Sequence, residues 1–280
     1  MGPARRCLLL AGVIFLSACG STSSPSRAES PAPANVARGA APNRLSSEEA
    51  AAIARLAMLS GPIDPSIPPH DHATVTLASS LPPEEQARFD LQIASAVASA
   101  KDFRTTDDAT AAGYVQSSTQ LPAIGTHWVR WSLVDQPFDA ARPAMLLFDQ
   151  STLHPTRLAG FSYWVRSVGP PDGFAGPNDV WHRHSGLCFQ NGFLTRENVP
   201  SADECDGQWL NGSDLWMLHA WVAPDVGNKA GVFAARNDDL CPPYWQQLPD
   251  LLKCGQGTSG HGDDTIVVPV GDVYCHLPST

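Results

Sequence analysis

Apolar positions change their spacing near the middle of the chain. In the stretch opened by Pro82-Pro83-Glu84-Glu85, Phe89, Ile93 and Val97 recur four apart, which predicts a helix to about Lys101. Upstream, Ser46-Ser47-Glu48-Glu49 opens an Ala-rich stretch to about Leu59, and acidic residues in its first turn favour a helix start. Asp107-Asp108 begins a third, short helix that ends near Gly113. From Gly125 onward, short aromatic and β-branched runs divided by Pro, Gly and Asp replace the helical spacing. Residues 126–134, 144–148, 158–166 and 215–222 therefore predict strands, joined by long Gly- and Pro-rich loops. Helices first and strands later predict an α+β fold: N-terminal helices packed on a mostly antiparallel β-sheet or β-barrel.

The first 43 residues follow a different logic. Arg5 and Arg6 form a short positive segment, residues 8–16 are apolar, and small residues precede Cys19. That is the layout of a secretory signal, and the apolar run is too short to span a bilayer. Leu16-Ser17-Ala18-Cys19 resembles the lipobox of a bacterial lipoprotein signal peptide. The resemblance implies that residues 1–18 are removed and that Cys19 is diacylated on its sulfur, which would anchor an exported protein to the extracytoplasmic face of the membrane. The plainer reading is an ordinary signal cleaved after Ala18 without lipid. Losing Arg5 and Arg6 takes the formal net charge from -10 to -12. Residues 20–43 are mostly Ser, Pro, Ala and Gly with no aromatic residue, so 19–43 reads as a lipidated cysteine followed by a disordered tether. Such a tether spans on the order of 25–30 Å root-mean-square. Residues 44–280 suffice for a single globular domain. With an acidic balance and no basic patch, nucleic acid and anionic head groups are poor partners. The expected partner is the membrane, reached through the lipid.

Cys7 leaves with the signal, so five cysteines remain beyond Cys19: Cys188, Cys205, Cys241, Cys254 and Cys275. In an oxidising compartment two disulfides plus one further thiol are expected. Cys188 with Cys205 is the favoured pair, because the intervening segment is rich in residues that loop easily. The second bridge cannot be read from spacing.

Seven of the eight tryptophans lie between Trp128 and Trp221, and four histidines share that region. They stand in Gly125-Thr126-His127-Trp128, Trp181-His182-Arg183-His184 and Met217-Leu218-His219-Ala220-Trp221. On a strand, His182 and His184 point the same way with Cα atoms roughly 6.5–7 Å apart. With His219 and His127 on neighbouring strands, imidazoles could converge on one divalent transition metal: Zn, Cu, Fe or Mn. Asp135, Asp172, Asp179 and Asp214 are near in sequence and could orient imidazoles, although loop aspartates usually make turns. The competing reading makes each histidine a core residue held by one hydrogen bond. His70-Asp71-His72, in a Pro-rich loop between helices, is a second, weaker metal candidate, with exposed loop histidines the plainer reading. His154, beside Pro155 in a turn, and His261 and His276, in tail segments, are assigned no role.

Two resemblances follow from these motifs. Gly176-x5-His182-x-His184 is similar to the start of the first cupin motif, which implies a metal held on a β-barrel strand. The cupin motif continues with a glutamate where Cys188 or Phe189 stands here, and its second Pro-x-Gly turn is absent before His219. A longer resemblance, from about His70 to Cys241, is to an uncharacterised family of exported bacterial proteins without established activity. It is carried by Ala111-Ala112-Gly113-Tyr114, Phe138-Asp139 with Arg142-Pro143, the three histidine motifs above with Leu187-Cys188, Leu158-Ala-Gly-Phe-Ser-Tyr-Trp-Val165 and Gly173-Phe174-Ala175-Gly176.

Several chemistries lack their signature. There is no Gly-x-Ser-x-Gly elbow, phosphate-binding Gly-x4-Gly-Lys loop, dinucleotide fingerprint or Cys-x-x-Cys pair. Catalysis, if any, would be metal-based or rest on scattered residues. Two functions remain on the table. One is a membrane-tethered lipoprotein with a histidine-based metal site. The other is a metal-free envelope module that uses its Trp and Tyr side chains as a pocket or interface.

Overall fold

Helix α1 (Ser47–Met58) starts where Ser46 caps it, its side chain accepting from Glu49 N at 3.2 Å. This computed structural model describes residues 45–68, 70–72, 80–121, 123–151 and 154–240, with two short strands at Thr258–Ser259 and Ile266–Val267. Helix α2 (Pro83–Ala100) begins at a proline, which fits a first turn that has no use for its N–H. Helix α3 (Thr106–Ala111) is held by a capping box between Thr105 and Asp108.

The strands in chain order are β1 (His70–His72), β2 (Val115–Gln116), β3 (Thr126–Val129), β4 (Met145–Ser151), β5 (His154–Arg166) and β6 (His182–His184). They continue with β7 (Leu187–Gln190), β8 (Phe193–Arg196), β9 (Gln208–Leu210) and β10 (Leu215–Ala220). Seven form one sheet in the order β1-β6-β10-β5-β4-β3-β2, with every pair antiparallel. Three form a second sheet in the order β8-β7-β9. The fold is α+β. The large sheet is open, so of the two expected forms the chain builds a sheet, and a closed barrel of the cupin kind is not formed among the described residues.

Strand register sorts the core into two layers. Val129, Met145, Trp164, Leu215 and Met217 share one face, while Trp128, Leu146, Phe161, Tyr163 and Leu218 share the other. Helices α2 and α3 cover the second face through Ala96, Ala100 and Ala109, with Phe89, Ile93 and Val97 packed alongside. The four-residue stripe read from the sequence is thus the docking face of α2. On the first face lie Ala52, Ile53 and Leu56 of α1 and Leu187, Phe189 and Leu210 of the second sheet. Burying side chains such as Ile53 and Leu56 contributes about 1.5–3 kcal/mol each. Glu49 fixes α1 there, accepting from Ser132 N at 3.1 Å and Ser132 Oγ at 2.6 Å.

Four local expectations are corrected. His70-Asp71-His72 is a strand, not a loop, and pairs with β6 in the register His70↔His184 and His72↔His182. His154 opens β5 rather than making a turn. Only 126–129 of the 126–134 run is strand, because Trp131–Leu133 tightens into a 3-10 turn. The supposed loop region after His184 holds the second sheet. Its β7–β8 hairpin turns at Asn191-Gly192, with φ of 50° and 75°, the left-handed pair a tight two-residue hairpin requires.

Candidate functional site

All four histidines expected to gather do lie on the first face of the large sheet, and all are buried. Met217 on β10 is the register partner of His182 on β6, and His219 stands two residues further along the same face. On the far side His127 partners Leu147, which in turn partners Gly160 of β5. Ring centroids are 5.1 Å apart for His182 and His184, 5.1 Å for His182 and His219, and 5.7 Å for His127 and His219. The imidazoles therefore form a file, His127–His219–His182–His184.

The closeness of His127 and His219 says how the sheet is shaped. Strands β3 and β10 are three steps apart in the sheet, roughly 14 Å if it were flat. Ring centres 5.7 Å apart require the sheet to curl with this face concave. Small residues permit the curl. A Cβ on Gly160 would stand 2.6 Å from the Ala220 carbonyl oxygen, so β5 and the end of β10 approach in a way only glycine allows.

Hydrogen bonds select the tautomers. His219 Nδ1 lies 3.1 Å from the Ala235 carbonyl oxygen, which can only accept, so Nδ1 carries the proton and Nε2 the lone pair. Ser118 Oγ donates to the Thr119 carbonyl and accepts from His127 N at 2.8 Å. Its proton being used, it accepts from His127 Nδ1 at 3.3 Å, and Nε2 of His127 again holds the lone pair. Burial, with a smaller contribution from neighbouring His219, pushes the His127 pKa down to about 3. His127 is thus neutral across the ordinary pH range, the form in which imidazole binds a metal.

For two imidazoles sharing an ion tetrahedrally, metal–nitrogen bonds of about 2.0–2.1 Å place the ring centres roughly 5 Å apart. Neighbours in the file stand at about that spacing. Among the described residues, however, no group of three or more His, Cys, Asp or Glu side chains is disposed to hold one ion as it stands. The file runs along the sheet instead of surrounding a point.

The outer members of the file, His127 and His184, line a cavity of about 40 Å³ between the two sheets, together with Ser118, Met145, Glu197 and Met217. At roughly 10–15 Å³ per water position, that is room for about three waters, or for an ion with one. Glu197, after β8, was not legible as a site residue. It lies in a polar run with no spacing to any histidine, and only the hairpin brings it over the large sheet. Ser162, between Met145 and His219 in the register, is fully buried, and its Oγ has no hydrogen-bond partner among the described residues.

Other sequence candidates go elsewhere. Asp135 and Asp214 pair with Arg166, and Asp179 accepts from Trp181 Nε1 at 2.9 Å. All seven tryptophans from Trp128 to Trp221 are buried in the core. Cys188 and Cys205 form a disulfide with Cα atoms 5.5 Å apart, tying β7 to the segment before β9 in the sheet that roofs the cavity. Cys19, Cys241, Cys254, Cys275, His261 and His276 lie outside the described residues. Among the described residues no helix is long and apolar enough to cross a membrane. Comparisons with family models, curated proteins and solved structures give no match.

Proposed function

We propose that the protein is an exported lipoprotein, tethered through Cys19, that binds a transition metal ion at its buried histidines. The observation that carries the reading is the file itself: four buried imidazoles, neighbours in it with ring centres 5.1 to 5.7 Å apart. A core needing only volume would fill those positions with Leu, Ile or Val, which bury without polar atoms to satisfy. In at least His127 and His219 the neighbours hold Nδ1–H, which leaves the ring lone pair on Nε2. The ion draws in imidazoles by side-chain rotation, and the adjoining cavity leaves room for an exogenous ligand or water. His182 and His184 are the principal ligands, with His219 and His127 as further ligands.

The experiment is elemental mass spectrometry on the full chain, expressed with its own signal so that it folds in an oxidising compartment, then dialysed. Near one equivalent of Zn, Cu, Fe or Mn is expected. The double variant His182→Ala, His184→Ala should lose it while keeping the wild-type far-ultraviolet circular dichroism. A folded wild-type protein that neither carries nor takes up any of the four ions would overturn the reading.

A further inference from the structure

The chain has four methionines, and the two that are buried among the described residues, Met145 and Met217, both line the cavity that His127 and His184 border. Met58 is exposed and Met1 lies outside the described residues. Register places the two thioethers among the coordinating groups. Met217 is the Cα partner of His182, and Met145 is the partner of Ser162, itself the partner of His219. Met217 and His182, directly paired on one face of an antiparallel sheet, stand roughly 4.5–5.5 Å apart at Cβ, within mutual reach, and Met145 shares the cavity wall with His127.

Ligand softness then distinguishes the four candidate ions. Zinc in open sites takes three protein ligands drawn from His, Cys, Asp and Glu, and thioether sulfur is not among them. Thioether sulfur is a soft donor that favours Cu(I), and imidazole also suits copper. Cu(I) has a filled shell and accepts low coordination numbers, so one or two imidazoles with one or two thioethers complete its sphere. The small apolar cavity suits a monovalent ion better than a divalent one, because its desolvation penalty is smaller.

We propose that the metal held at this site is Cu(I), coordinated jointly by histidine nitrogen and by the sulfurs of Met145 and Met217. This rests on the metal-binding reading above and adds the identity of the ion and two ligands. The two methionines otherwise look like core filler, and a volume-conserving replacement tells filler from ligand, since Leu takes the place of Met at little packing cost.

The test uses the full chain, with Cu(I) kept reduced by ascorbate without oxygen and presented as its bathocuproine disulfonate complex. Zn(II) affinity is measured in parallel with a chromophoric zinc chelator. The variant Met145→Leu, Met217→Leu should weaken Cu(I) binding about tenfold or more and leave Zn(II) binding unchanged. Equal Cu(I) affinity in that variant overturns the assignment while the histidine site stands. Failure of the wild-type chain to bind any ion sinks the histidine site itself. Should the double variant not fold, selenomethionine-labelled wild-type protein loaded with Cu(I) gives the answer by X-ray absorption at the selenium edge. Copper scattering from selenium is expected, and its absence overturns the proposal.

Discussion

Removing the Ser162 hydroxyl should stabilise the metal-free protein. Ser162 is fully buried, and its Oγ has no hydrogen-bond partner among the described residues. A buried hydroxyl without a partner costs about 1–3 kcal/mol of desolvation. Ser162→Ala deletes that penalty and forfeits the dispersion contacts of one oxygen, a handful at about 0.1–0.2 kcal/mol each. The balance favours alanine by about 1 kcal/mol or somewhat more, which for a domain of this size raises Tm by about 2–4 °C per kcal/mol. Urea and thermal unfolding of wild type and variant, both stripped with a strong chelator, measure it. In metal-loaded protein the gain should shrink, because an ion and its water beside His219 would satisfy the hydroxyl. A stripped variant less stable than wild type by more than about 0.5 kcal/mol would refute the reasoning, since the hydroxyl would then be holding something in the empty site.

Three other outcomes are expected. Replacing both Cys188 and Cys205 with Ala opens a 17-residue loop and should cost about 3 kcal/mol, read as a lower urea midpoint, with the second sheet the first region to lose hydrogen-exchange protection. In metal-free protein, His127 is neutral down to about pH 3 when folded but takes a proton near 6.5 when unfolded. The unfolded state therefore binds more protons between those values, and stability should fall as the pH drops through that window, at up to about 1.4 kcal/mol per unit. His127→Leu should remove that part of the slope in unfolding curves from pH 6.5 to pH 4; an unchanged slope would mean that His127 is not held neutral. Cys19→Ala should move the protein from the membrane pellet to the soluble exported fraction; retention in the pellet would remove the lipid as its anchor.

Elements defined by local periodicity were legible, and those defined by distant partners were not. The caps at Ser46 and Thr105 and the stripe Phe89, Ile93, Val97 are local, and all three helices lie where the sequence puts them to within two residues. The strands β4, β5 and β10 likewise follow from their aromatic and β-branched content. The second sheet was missed although Asn191-Gly192, flanked by Gln190 and Phe193, carries a strong short-range hairpin signal. Its neighbouring glycines and asparagines read as loop. β1 carried no such signal. A His-Asp-His triplet among prolines has poor strand propensity, and it pairs because β6 offers it an edge.

The candidate site shows the same division with a physical reason behind it. Alternation along one strand puts His182 and His184 on one face, so a sequence states it outright. Whether His127 comes near His219 depends on the curvature of three intervening strand steps, and curvature is set by residues with no chemistry of their own. Gly160 lets β5 lie against the Ala220 carbonyl, and Ser162 keeps the concave side shallow where a larger side chain would fill it. Those two positions let His127 approach His219. The same concavity leaves the 40 Å³ gap into which Met145, Met217 and Glu197 face from strands and a loop that no spacing rule connects. A candidate site built this way draws its geometry from the smallest side chains on the sheet. The residue types that advertise a site in a sequence are therefore only half of what makes this one.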